Sequence, residues 1–137
     1  MSNFVYSKTK QAILNGNVDF STGQFKLLLI DSSQYTPNQN AHEFLSDIPS
    51  NARVYTTSSI SNLTNTLGTI DGDDLSITLP SNYAFEAIVL FKQGTSDQNS
   101  RIISYIDTAE GLPFVDTLDQ TSMSIIWSNT ATKILSI

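Results

Sequence analysis

The stretch "AHEFLSDIPSNARV", residues 41 to 54, gathers the ionisable side chains best placed for acid–base work: His42, the only histidine of the chain, with Glu43, Asp47 and Arg53. Catalysis by such a group needs a nucleophile or a held water and a carboxylate to orient the imidazole, assembled across a fold rather than within one short segment. The local spacing favours architecture instead. Asn40 stands at an N-cap position and Glu43 at N3, a variant of the capping box, while Phe44, Leu45 and Ile48 share one face and Pro49 discourages continuation. This pattern predicts a short helix with His42 at N2. Arg53 is expected to pair with Glu43 or Asp47 at the surface, an interaction worth only about 0–1 kcal/mol.

Other chemical signals are weaker. "DGDD", residues 71 to 74, crowds Asp71, Asp73 and Asp74 as a calcium loop does, but without the later ligands and the closing bidentate Glu, so a solvated turn is expected. A glycosidase needs two carboxyls about 5–10 Å apart in a cleft. The three glutamates, Glu43, Glu86 and Glu110, among thirteen acids make chance pairs easy and support no such assignment. GxSxG, P-loop, GxGxxG and HExxH words are absent. The expectation is no catalytic residue, no metal and no cofactor. Trp127 and Phe91 lie in strand patterns and read as core.

The elements that would position these residues are mostly strands. "YSKTKQAILNG" predicts one short helix over about residues 7 to 15, with Gly16 as its left-handed cap. "FKLLLI" has apolar side chains on both faces and predicts a central strand ending at Asp31. "DDLSITLP" alternates, with Leu75, Ile77 and Leu79 inward, Ser76 and Thr78 outward, and Pro80 as its stop. "FEAIVLFK" and "RIISYID" flank the polar "QGTSDQNS" and predict a hairpin with a mobile tip. "VYTTSSISNLTNTL" predicts one or two short strands, and "SMSIIW" and "TKILSI" two more. The fold class expected is mainly β: a compact antiparallel β-sandwich or barrel-like domain with one or two short helices.

Composition agrees. Only 15% of the 137 residues are charged, and Ser and Thr make up roughly a quarter, a balance typical of strand-rich chains. This length suits a single domain, residues 1 to 137, with a short N-terminal arm and helix over about 1 to 15. The net charge of −6 and the lack of a basic run argue against direct nucleic-acid binding. With no cysteine, thiol catalysis and disulfides are excluded. "MSNFVYSKTK" lacks a signal-peptide core and no apolar run approaches the roughly 20 residues of a membrane helix, so a soluble chain made in the cytoplasm and not bound to membrane is expected.

Together "AHEFLSDIPSNARV", "AFEAIVLFKQGTSDQNSRIISYIDTAEGLP" and "SIIW" resemble a group of small virion structural proteins of tailed bacteriophages. The similar elements run from the Tyr6–Leu14 helix through "VDFSTGQFKLLLIDSS" to the strand around Trp127. The resemblance implies a non-enzymatic particle component, either a capsid cement or decoration protein or a tail or head–tail connector, with a small hydrolase as the outside alternative. It implies partners among the major capsid protein or tail proteins and further copies of the chain, a virion location after synthesis in the host bacterium, and no catalytic residues. Separately, apolar groups outside any strand pattern are candidates for contact with such partners: Phe4, Val5 and Tyr6 before the first helix, and Leu112, Phe114 and Val115 in a Pro-bearing connection. The competing expectation is that both segments fold back as lids over the β core.

Overall fold

A computed structural model describes residues 3–67, 69–80, 84–108, 112, 114–115, 120–125 and 135–136. Its elements in chain order are β1 (Phe4–Val5), α1 (Ser7–Leu14), β2 (Phe25–Ile30), β3 (Arg53–Thr56), β4 (Thr64–Thr66), β5 (Thr69–Asp71), β6 (Leu75–Pro80), β7 (Ala84–Phe85), β8 (Ala87–Lys92), β9 (Arg101–Ile106), β10 (Phe114–Val115), β11 (Gln120–Ile125) and β12 (Leu135–Ser136). The fold is mainly β and antiparallel. Its principal sheet has the order β1-β9-β8-β2-β3, and smaller pairings join β10 to β7, β11 to β6, and β12 to β5 to β4. The principal sheet does not close into a barrel, because β1 and β3 are its edges.

Strand β2 is flanked on both sides and buried on both faces, as its uninterrupted apolar run predicts. Phe25, Leu27 and Leu29 join Ile88, Leu90 and Ile103 on one face, and Ile70, Leu75, Ile77 and Phe85 from the smaller strands cover them in a sandwich-like second layer. On the other face Leu28, Ile30, Val89, Phe91, Ile102 and Tyr105 meet Tyr6, which precedes α1, and Tyr35, Leu45, Ile48 and Ala52 from the long connection between β2 and β3. Leu75 and Ile77 are buried while Ser76 and Thr78 are exposed, as the alternation predicts. The side chain of Leu79, Trp127 and Glu110 lie outside the described residues.

A bulge sets which groups of β9 reach each core. Leu90 pairs with Ser104 and Phe91 with Ile102, which leaves Ile103 as an extra residue. Ile102 and Tyr105 are three apart and would occupy opposite faces of a regular strand; one inserted residue brings both to the same face. Ile103 turns to the other core.

Helix α1 ends as expected, with Gly16 at φ 76° and its N–H donating to the Ile13 carbonyl. Ala12 is buried, but Leu14 is 84% exposed. The helix is tied to β9 by the Thr9 hydroxyl, which donates to the Ile102 carbonyl at 2.5 Å. No helix among the described residues is long and apolar enough to cross a membrane.

Residues 40 to 48 do not form the expected amphipathic helix. Phe44 is extended, at φ −127° and ψ 166°, and bridges Arg101 of β9; only 3₁₀ turns follow, over Leu45–Asp47 and Ser50–Ala52. The physical reason is competition for backbone groups. Leu45 N–H donates to the Ser100 carbonyl, and Ile102 N–H donates to the Glu43 carbonyl, so the main chain is spent on the sheet edge instead of on helical bonds. Asp47, and not Asn40, caps the first 3₁₀ turn: its Oδ2 accepts the N–H groups of Glu43 at 2.7 Å and Phe44 at 3.1 Å.

Candidate functional site

His42 is half-buried and its ring is committed to structure. Nδ1 accepts the Asn38 N–H at 3.1 Å, so it carries no proton, and the Tyr35 hydroxyl 2.8 Å away must donate to it. Tyr35 then accepts from the Tyr6 hydroxyl at 3.0 Å. The result is a directed chain, Tyr6 to Tyr35 to His42, that satisfies two buried phenols. Burial, with Tyr35 beside it, pushes the Tyr6 phenol far above its ordinary value. Burial also lifts the Tyr35 and Tyr105 phenols to about 12. Burial acts to raise the Asp47 carboxyl as well, but the two N–H donors and the nearby His42 and Lys8 outweigh it and hold that carboxyl below the ordinary range.

Arg53 pairs with neither Glu43 nor Asp47. Its guanidinium donates to the Ile48 carbonyl from Nε at 3.1 Å, to the Leu45 carbonyl from Nη2 at 2.6 Å, and to Asp97 Oδ2 from Nη1 at 2.8 Å. It therefore caps the C-terminal end of the first 3₁₀ turn and ties that turn to the β8–β9 connection. That connection, expected to be a mobile tip, is knitted instead. Ser96 N–H donates to Asn99 Oδ1, Ser100 Oγ accepts from Gly94 and donates to Ser96, and Ser46 N–H reaches the Asp97 carbonyl. A Cβ on Gly94 would lie 2.6 Å from the Asn99 carbonyl oxygen, so the loop closes only over glycine.

Glu43 turns to Arg101, whose Nη1 lies 3.2 Å from Glu43 Oε2, and also faces Lys8 at 3.9 Å. Arg101 lies over the Phe44 ring, 4.8 Å from its centroid. Phe44, expected to face a core, is half-buried beneath this guanidinium. Glu86 is used elsewhere: its Oε1 accepts the N–H and hydroxyl of Ser32. Asp73 accepts from the Asn62 amide, and Asp71 closes β5.

Beside Arg101 opens a cavity of about 350 Å³. Lys92 and Arg101 supply its cations, Asn17, Gln93 and Asn99 its amides, and Phe44 and Val18 its apolar wall. Neither cation was singled out from sequence, although a signal was present. Lys92 and Arg101 flank the eight-residue connection, so closing the hairpin sets them opposite each other.

The candidate contact residues divide. Tyr6 is fully buried in the chain's own core and is corrected from contact residue to core residue. Phe4 and Val5 are half-buried in edge strand β1, paired with Tyr105 and Ser104, and the Phe4 ring stacks on Tyr105 at 5.4 Å. Leu112 is half-buried against the first core. Phe114 and Val115 pair through their backbones with Phe85 and Ala84, so they form a short strand where a connection was expected. Sequence reasoning missed Leu67, fully exposed at the β4–β5 turn with φ 52°; an apolar residue in a two-residue hairpin turn was the available sign.

No known protein family matches this chain, and no curated protein is similar to it.

Proposed function

We propose that the chain is a non-enzymatic structural component of a tailed-bacteriophage particle, and within that class a capsid cement or decoration protein. One observation carries the reading. The two sequence words that resemble such proteins meet in space as one packed unit, through the Phe44–Arg101 bridge, the Glu43–Arg101 contact and the Arg53–Asp97 pair. Residues shared with a family for architecture are expected to contact one another in this way, and His42, Glu43 and Arg53 each have a structural task within the unit.

A cement protein stabilises a shell by mass action, binding assembled capsomers better than free ones. Half-buried Phe4 and Val5 on the edge strand β1, with exposed Leu67, are the groups through which the chain would meet the shell or another copy of itself. Made in the host cytoplasm, it would reach the virion through these contacts. The test is a phage with the gene deleted. Cement function predicts shells that assemble but release their genome at lower temperature than the parent, with stability restored by the supplied protein. Particles identical to the parent in composition, heat stability and tail morphology would overturn the reading.

A further inference from the structure

Two cations that should repel stand side by side in this fold. Phe25 pairs with Lys92, Lys92 with Arg101, and Arg101 with Phe44, which sets one row across four chain segments, ordered aromatic, cation, cation, aromatic. Directly paired residues share a face of the sheet, and like charges so placed are destabilising. The rings hold the cations from outside, with Lys92 Nζ 5.5 Å from the Phe25 centroid and Arg101 over Phe44.

Each cation shares its carboxylate with other groups. Lys92 Nζ donates to the Asp19 carbonyl, and the Asp19 carboxylate, bonded by Ser21 and Thr22, is held below its ordinary range by those bonds and by the nearby Lys92 charge. Asp97 is held by Arg53. Glu43 is divided between Arg101, whose Nη1 lies 3.2 Å from its Oε2, and Lys8 at 3.9 Å.

Two glycines border the cavity's residues. Gly23, at φ +90°, lies against the end of the Lys92 side chain, where a Cβ would be 2.7 Å from Cε. Gly94 lies likewise against Asn99. The cavity these groups line falls within the size range of small-ligand sites, and no carboxylate contributes to its lining.

We propose that this cavity binds a small oxyanion carried on a hydroxyl-rich body, of the size of a sugar acid or sugar phosphate. Lys92 and Arg101, both on the cavity lining, take the carboxylate or phosphate. Asn17 and Gln93 border the cavity as amide partners for hydroxyls, the Asn99 amide adds only what its bonds to Ser96 and Thr95 leave over, and the Phe44 ring borders the ligand. The proposal does not depend on the particle reading.

Titration of the purified, isotope-labelled chain, followed by NMR, tests it with glucuronate, glucose 6-phosphate, glucose and glutarate as probes. The two anionic sugars are expected to shift the Arg101 Nε–H and the side-chain amides of Asn17, Gln93 and Asn99 saturably. Glucose and glutarate each lack one half of the recognition and are expected to bind roughly tenfold or more weakly. The anionic sugar that saturates first identifies the oxyanion. Arg101→Gln and Lys92→Gln should each weaken binding by roughly tenfold. Lys92→Gln is the safer variant for folding, because Arg101 also pairs with Glu43 and covers the Phe44 ring. Shifts absent from these residues, glutarate binding as well as glucuronate, or binding unchanged in a folded Lys92→Gln variant would overturn the proposal.

Discussion

Arg53 and Asp97, 44 positions apart, meet at 2.8 Å, and through that contact a connection between strands is clamped to a hairpin loop. The same guanidinium holds the Leu45 and Ile48 carbonyls. The ionisable residues of segment 41–54 thus act mainly as fasteners of the long β2–β3 connection against the principal sheet.

The two ends of the Arg53 clasp should differ in energy. Arg53→Met leaves two carbonyls without their donor and is expected to cost about 2–3 kcal/mol. Asp97 is half exposed, so Asp97→Asn should cost less than about 1 kcal/mol. Denaturant unfolding of both variants checks this. Equal losses would show that the ion pair, and not the carbonyl contacts, carries the clasp.

His42→Ala removes the acceptor for the Tyr35 hydroxyl and the Asn38 N–H. The expected cost is about 1–2 kcal/mol, seen as a fall of several degrees in melting temperature. An unshifted transition would show that water replaces the imidazole without loss.

Deleting residues 1 to 5 removes β1, its pairing with β9 and the Phe4 ring stacked on Tyr105 and edge-on to Tyr6. The truncated chain is expected to melt several degrees below the full one, with the loss arising in the monomer. A melting transition equal to the parent's would assign these residues to intermolecular contact alone.

The buried phenols set a response to alkali. A raised folded-state value means that stability is fully present below the unfolded tyrosine value of about 10 and is lost as pH rises through the folded values, about 12 for Tyr35 and Tyr105 and higher for Tyr6. Unfolding free energy should therefore hold level up to about pH 10 and decline above it. Tyr6→Phe should lower stability at neutral pH by about 1 kcal/mol and flatten that decline. An equally steep decline in the variant would place its origin elsewhere.

Strand identity was legible in the sequence wherever burial wrote a simple pattern. The two-faced run of β2, the alternation of β6 and the β8–β9 hairpin all follow from residue type and spacing. Segment 40–48 misled for a definable reason: Phe44, Leu45 and Ile48 fit a helical face, but the carbonyl of Ser100 and the N–H of Ile102 offered the chain better partners at the sheet edge. Nothing local announces such partners. The bulge at Ile103 was equally hidden, since its sign is a pair of buried residues three apart whose burial is known only from the fold. The opposed cations at 92 and 101 were readable from the hairpin, but the cavity beside them depends on Asn17 and Val18, which reach it from the end of α1.

The account stands or falls most directly on a count of this chain in purified particles of the phage that encodes it, by quantitative mass spectrometry against the major shell protein. Cement function predicts copies in the hundreds, in fixed ratio to the shell protein and retained through a high-salt wash. Tens of copies or fewer would contradict the cement assignment in favour of a tail or connector position, and absence from the particle would contradict the structural role altogether.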